Sequence, residues 1–313
     1  MKIPILLPKV FNYPFTYKYN PKIMNNLRPG DIVVVPFGRK KEIGVVWDQL
    51  NFINKKIKLK NIERKIENIR IDGKLIKFIN WFSSYNLSSK GLVLKMCLAN
   101  LKEFKNDNVI KKKINESKVI NYKLNEEQNK ALIELEKEDT KFKVSVLLGV
   151  TGSGKTLIYF ERIKKIVNKN KQVLILLPEI FLTGQFKKRF ELFFGYEPAI
   201  WHSKITPKQK KIIWNSISKN EIKIVIGARS SLFLPFKDLG LIVVDEEHDM
   251  SYKQEEGVIY NARDMAISRA SFENIPIHLI TSIPSIETYN NILKKKYTKI
   301  LIKNRYENFP LPK

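Results

Sequence analysis

Residues 149–156 read GVTGSGKT, and Gly149-x-x-x-x-Gly154-Lys155-Thr156 is the pattern of a backbone cradle for phosphate. Glycines at 149, 152 and 154 let main-chain N–H groups close around an anion. A helix starting there adds favourable partial charge at its N-terminus. In such a cradle Lys155 would bridge the β- and γ-phosphates of ATP, and the Thr156 hydroxyl would ligate Mg²⁺. A second set of candidates stands in IVVDEEHDM (242–250). Asp245 ends an apolar run, where a second Mg²⁺-binding acid belongs, and Glu246 would polarise the attacking water. Acids after a strand are by themselves usually a solvated loop. Paired with the phosphate loop they make an ATP site, with Lys155, Asp245 and Glu246 as catalytic candidates.

Such a site needs buried strands behind it. From residue 124 onward apolar runs alternate with helical spacing. The pattern predicts strands at 143–149, 172–178, 222–228, 239–245 and 275–280, and helices over 155–168 and 207–219. Runs this uniformly apolar are buried on both faces, which means a parallel sheet with helices on either side. Residues 1–100 differ. DIVVVPFG (31–38) and EIGVVW (42–47) are β-branched runs separated by a basic turn, and Pro29-Gly30 marks a turn before them. Apolar residues at 75, 76, 79 and 82 then predict a helix. Residues 101–123 are polar and lysine-rich, and read as a linker. A chain of 313 residues accommodates two domains, each with its own core.

The formal charge of +26 and pI near 9.8 favour a polyanionic partner, nucleic acid first and an acidic membrane surface second. An alternative stands beside that reading. Of the 57 basic residues only ten are Arg, and Ile and Asn are abundant, which is also what an AT-rich genome would produce. One cysteine, Cys97, and three histidines exclude a disulfide framework and a multi-cysteine zinc module. Cys97 sits in an apolar run and is expected to be a buried, inert thiol. The start MKIPILLPKV is too short and proline-broken for a secretory signal, and no segment has the apolar length of a membrane span. The expected compartment is the cytoplasm.

LNEEQ (124–128), GVTGSGKT, LLPEIFLTGQF, WHSKIT, VIGARSSLFLPFKDLGLIVVDEEHDMSYKQEEG and YNARDMAISRA occur in that order. Together they resemble the primosomal protein N′ family, ATP-dependent 3′–5′ DNA helicases of superfamily 2 that restart stalled replication forks in bacteria. YPFTYKYNP, LRPGDIVVVPFG and IGVVW extend the resemblance into the first hundred residues. It implies a RecA-like helicase lobe at 124–300, preceded by a β-rich domain at 1–100 that captures 3′ DNA ends. It implies that Gln128 reads adenine, although from the residues alone Gln128 is one more polar residue on a helix start. Thr183, Arg229 and Ser230 would grip the DNA backbone. Tyr252 and Tyr260 would stack on bases with Lys253 near a phosphate, against the reading of 249–264 as an ordinary surface loop. Phe11, Asn12, Tyr13, Gly38 and Lys60 map to the end-binding pocket. By spacing alone Phe11 and Tyr13 are core residues of an edge strand. The partners implied are branched DNA and forks with single-stranded regions, other primosome proteins and single-stranded-DNA-binding protein.

Several features depart from the family. The linker at 101–123 is too short for a winged-helix module, and without cysteine clusters no structural zinc is expected. Asn12 stands where the family carries an acid, which weakens end recognition. The coupling motif reads Thr281-Ser282-Ile283-Pro284-Ser285, with Ile283 in place of a hydroxyl residue. Residues 301–313 resemble the family's passage out of the first lobe. The second lobe is expected to be missing, from a truncated copy or from one part of a split protein whose other part is separately encoded. That lobe carries the arginine finger worth about 10³–10⁵ in rate. The expectation is therefore a chain that holds Mg·ATP and turns it over slowly, or one that binds forks with ATP as a structural or regulatory ligand.

Overall fold

The computed structural model describes residues 1–24, 26–48, 58–99, 119–120, 122–137, 141–181 and 184–305. Most of the 101–123 linker, and with it the winged-helix expectation, lies outside the described residues, as do Thr183 and 306–313.

The N-terminal hundred residues build one antiparallel sheet from β1 (Lys2–Leu6), β2 (Phe15–Lys18), β3 (Asp31–Phe37), β4 (Lys40–Val46) and β5 (Arg64–Arg70), in the order β2-β1-β4-β3-β5. A short α1 (Pro21–Met24) follows β2, and α2 (Gly73–Tyr85) and α3 (Lys90–Cys97) follow β5. Strand alternation divides β3 between two cores. Ile32 and Val34 face the helices; Val33 and Val35 pack with Ile3, Ile5 and Tyr17 on the other side. Leu75, Ile76, Ile79 and Phe82 of α2 are buried, as their spacing predicts.

The larger part is a seven-stranded parallel sheet. Its elements are α4 (Glu126–Glu136), β6 (Lys143–Gly149), α5 (Lys155–Asn168), β7 (Gln172–Leu176), α6 (Gly184–Phe194), β8 (Ala199–Trp201), α7 (Pro207–Ser218), β9 (Ile224–Gly227), β10 (Leu239–Asp245), α8 (Ala262–Glu273), β13 (Pro276–Thr281), α9 (Ile286–Leu293) and β14 (Thr298–Ile302). A two-stranded hairpin, β11 (Lys253–Gln254) with β12 (Tyr260–Asn261), lies between β10 and α8. The order is β14-β6-β13-β10-β7-β9-β8. Successive residues of each central strand enter opposite cores: Leu147, Ile175 and Val243 meet α4 and α5, while Val146, Leu176 and Val244 meet the opposite layer. The parallel α/β fold with a β-rich N-terminal part is therefore as its sequence implies. The two strands that the apolar runs do not announce, β8 and β14, are the sheet's edges. An edge strand has an open side, and β14 alternates exposed with buried residues where a central strand is apolar throughout. β14 also carries the sheet past residue 300.

One expectation is corrected. The two parts do not have wholly separate cores. Phe78 and Phe82 of α2 pack on Phe233, Phe82 also meets Tyr260, and the core beneath runs on without a break. Trp214 Nε1 donates to Cys97 O at 2.8 Å, and Lys74 Nζ to Glu273 O at 3.1 Å. Arg269, fully buried here, donates to Leu232 O, pairs with Glu273 and lies against the rings of Phe78 and Phe236. Burial pushes the Cys97 thiol up to about 12, in keeping with an inert thiol. Among the described residues no helix is long and apolar enough to cross a membrane.

Candidate nucleotide site and nucleic-acid surface

The phosphate loop joins β6 to α5, so its backbone is fixed by a buried strand on one side and a helix start on the other. Gly152 and Gly154 have φ of +83° and +78°, which glycine adopts without strain. At Gly149 a Cβ would come within 2.5 Å of Ser153 Oγ. Lys155 Nζ donates to Gly149 O at 2.6 Å and Val150 O at 3.3 Å, so the ammonium folds over the loop it is expected to serve. Burial lowers its pKa, opposed by the charges of Glu246 and Asp245.

Asp245 closes β10 facing this loop. Its Oδ2 accepts from Tyr159 Oη at 2.8 Å and its Oδ1 from the Glu246 N–H at 3.0 Å. Burial raises its pKa to about 6, against the Tyr159 bond, which favours the charged form. Glu246 takes a left-handed backbone, φ +48°, that turns the chain sharply at the strand end. The residues form one cavity of about 410 Å³, lined by Thr151–Leu157, Asp245 and Glu246, and on its far side by Tyr122, Phe160 and Arg189. Among the described residues no cluster of His, Cys, Asp or Glu makes a metal cage. Mg²⁺ needs none, since it is usually held by one or two carboxylates with phosphate and water. Thr156 and Asp245 supply the oxygen donors that fit it.

Behind Asp245 lies a polar network. His248 Nδ1 is 3.7 Å from Glu246 Oε2 and 2.7 Å from Thr281 Oγ1. Thr281 spends its one proton on Ile283 O at 2.7 Å, so His248 is the donor in that pair. Ile283 thus joins through its carbonyl, while its side chain is 71 % exposed. Buried Glu247 accepts from Ser285 N, Ser285 Oγ, Thr288 Oγ1 and Arg263, tying the end of β10 to α9. Tyr122, Arg189, Tyr159 and Glu247 were not among the candidates drawn from the sequence. Glu247 stands in the IVVDEEHDM run, directly after Glu246, while no motif spacing marks Tyr122, Arg189 or Tyr159, each from a separate segment.

Three expected roles do not fit the geometry. Gln128 is fully buried: its Oε1 accepts from Asn125 N in a capping box, and its Nε2 donates to Ser153 O at 3.0 Å. Each end of the amide makes one bond to the protein and the side chain is fully buried, so in this structure Gln128 steadies the phosphate loop from behind. Tyr252 is 1 % exposed, its hydroxyl 2.6 Å from Asp245 O and 3.0 Å from Leu176 O. Tyr260 is 3 % exposed, between Phe82 and Phe233. Neither tyrosine offers a face to a base; both brace the segment they belong to.

Arg229, Ser230 and Lys253 do come together. The turn 229–233 follows β9, and Arg229 Nη1 donates to Lys253 O at 2.7 Å. Ser230 and the Lys253 side chain face solvent, the latter paired with Glu255 at 2.9 Å. In the N-terminal part, Phe11 and Tyr13 lie in the loop between β1 and β2, not in an edge strand. With Phe15 and Phe37 they form a ring cluster, Phe11 to Phe15 at 4.9 Å and Tyr13 to Phe15 at 5.3 Å. Tyr13 remains 48 % exposed. Lys60 Nζ donates to Gly38 O at 3.2 Å, and Asn12 Oδ1 accepts from Lys90 N at 3.3 Å.

A phosphate loop facing an acid across the C-terminal ends of a parallel sheet makes this lobe a candidate nucleotide-binding lobe. Residues 121–303, more than half of the chain, match the family described as type III restriction enzyme, res subunit, and residues 3–99 match the 3′ DNA-binding domain of PriA. The replication restart protein PriA of Rickettsia felis is 45% identical over 309 residues, which is 98% of this chain and 47% of that protein. The PriA of Bacillus subtilis is 41% identical over 175 residues, 56% of this chain and 22% of that one. The Pyrococcus furiosus Hef helicase domain superposes with a TM-score of 0.42 at 17% identity, covering 57% of this chain and 38% of that one, a likeness too slight to carry any argument. The chain belongs to the PriA family of replication restart proteins and spans about half the length of the curated relatives it matches.

Proposed function

We propose that the chain holds Mg·ATP between the phosphate loop and the end of β10, and that it grips single-stranded DNA beside this site, as the ATP-binding lobe of a replication-restart DNA helicase. The N-terminal domain reads the 3′ ends of strands at forks. The observation that carries this reading is Asp245, buried, oriented by Tyr159 and the Glu246 N–H, and facing Lys155 across one cavity. Thr156 and Asp245 hold Mg²⁺, which neutralises charge on the phosphates; Lys155 leaves its own loop carbonyls for phosphate oxygens; Glu246 orients water. Tyr122 and Arg189 flank the nucleoside end. Arg229, Ser230 and Lys253 meet backbone phosphates, and the Phe11–Tyr13 rings stack on a terminal base.

A second reading, fork binding with ATP only as a ligand, is favoured by one observation. Among the described residues the two basic side chains that line the cavity, Lys155 and Arg189, both come from this one sheet's helices. One experiment separates the readings: titration with a fluorescent ATP analogue and Mg²⁺, then phosphate release with and without single-stranded DNA. Under both readings Lys155→Ala weakens nucleotide binding about 10- to 100-fold, the worth of a charged hydrogen bond. DNA-stimulated release that Lys155→Ala abolishes supports the helicase reading. Fork and nucleotide binding without stimulated release supports the second. Unimpaired nucleotide binding by Lys155→Ala overturns both.

A further inference from the structure

A groove of about 1300 Å³ runs beside the N-terminal aromatic cluster, between the loop after β1, the starts of β4 and β5, and α3. It exceeds the roughly 300–1,000 Å³ of small-molecule pockets, so its shape suits a polymer. Phe11 belongs both to this groove and to the ring cluster. Val34 and Ile43, each 8 % exposed, lie at its floor, Val10 and Leu92 add apolar surface beside Phe11, and Lys9, Lys40, Lys41, Arg64 and Lys95 line it with positive charge. Among the described residues its two acids are already neutralised: Glu42 pairs with Lys9 at 2.9 Å and Glu63 with Lys41 at 2.7 Å. Lys40, Arg64 and Lys95 are exposed and have no carboxylate partner among the described residues.

We infer that this groove carries a single nucleic-acid strand, its phosphates on Lys40, Arg64 and Lys95 and its bases on the apolar floor, leading to a 3′ end at the Phe11–Tyr13 cluster. The inference rests on the end-reading role proposed above and adds the path by which the strand arrives. A single strand fits better than a duplex, because only unstacked bases present apolar faces to such a floor. Continuity through Phe11 sets the direction, since the ring shared by groove and cluster stands where the last bases would lie.

The test is fluorescence anisotropy on the full chain at several salt concentrations. The probes are a dinucleotide and an oligonucleotide of about ten nucleotides, a length within the span that single-strand grooves engage. Each is used with a free and with a phosphorylated 3′ end. The variant Lys40→Ala/Arg64→Ala/Lys95→Ala is compared with Lys294→Ala/Lys295→Ala/Lys296→Ala, which removes equal charge beyond α9. The groove variant is expected to lose about tenfold in affinity for the longer strand and to flatten the log–log salt slope by about 2, three phosphates at roughly 0.7 each. Its dinucleotide affinity stays unchanged, as does the control's affinity for both. Equal losses in the two triple variants, no loss in the groove variant, or the same loss for a blunt duplex would each overturn the inference. Equal binding of free and blocked ends with groove dependence intact would instead remove the end-reading role and leave the groove as a track for internal strand.

Discussion

Gln128 illustrates what residue types reveal and what they leave out. The family resemblance puts it at the adenine, while from the residues alone it is a polar residue on a helix start; in the structure its amide holds Ser153 O from behind the phosphate loop. Replacing it by Ala removes a capping contact and leaves a buried carbonyl unpaired, a loss of about 1–3 kcal/mol. Gln128→Ala is accordingly expected to weaken ATP and GTP by the same factor, measured by parallel titrations. A selective loss of ATP would restore the base-reading role. The phosphate-loop residues and Asp245 are legible because their chemistry demands those types at those spacings. Tyr159, Tyr122 and Arg189 are not, because nothing local distinguishes a pocket-facing side chain from its neighbours on a helix. His278 makes the same point from the core. It is fully buried in β13, and burial, with Arg162 nearby, drops its pKa from 6.5 to about 3. The unfolded chain therefore binds the extra proton first between those values, and stability falls as pH is lowered through that window. The slope for this one group is about 1.4 kcal/mol per pH unit. Urea unfolding across that range should show it, and His278→Gln should flatten it.

At the scale of elements, apolar runs located the five central strands of the sheet, since strands covered on both faces must be apolar throughout. They passed over β8 and β14, whose open edges relax that demand. Tyr252 and Tyr260 failed as base-stackers for a related reason. An aromatic in a loop looks available in sequence, but α2 of the N-terminal domain covers Tyr260, and the ends of β7 and β10 take up Tyr252. The same contacts make α2 a brace for the hairpin 253–261. Phe82→Ala should cost about 3–5 kcal/mol, the range for truncating a buried phenylalanine. Its signature is local: hydrogen exchange should quicken in α2 and in the 253–261 hairpin before it changes in β6. Uniform quickening across all three would mean that α2 stabilises the molecule without bracing the hairpin.

The whole molecule departs furthest from a reading made one segment at a time. Composition and length allow two domains, yet the Phe78–Phe82–Phe233–Tyr260 contact and the Trp214–Cys97 bond join the N-terminal part to the larger sheet through one continuous core. Sequence patterning reveals which face of α2 is buried and stays silent on whether its own sheet or another one covers it. A shared core predicts shared unfolding, because exposing Phe78 and Phe82 in one part strips Phe233 and Tyr260 in the other. The chain is expected to unfold in urea as a single transition, followed by the tryptophans of both parts, Trp47 and Trp81 against Trp201 and Trp214. Single-tryptophan variants separate the signals. Mg·ATP at about 100 times its Kd adds about 2.7 kcal/mol to whatever unit contains the site. The midpoint reported by Trp47, which lies in the N-terminal sheet, should therefore move together with that of Trp201. If Trp47 stays in place while Trp201 moves, the two parts unfold separately, and the aromatic contact between them is too weak to make nucleotide binding felt in the N-terminal part.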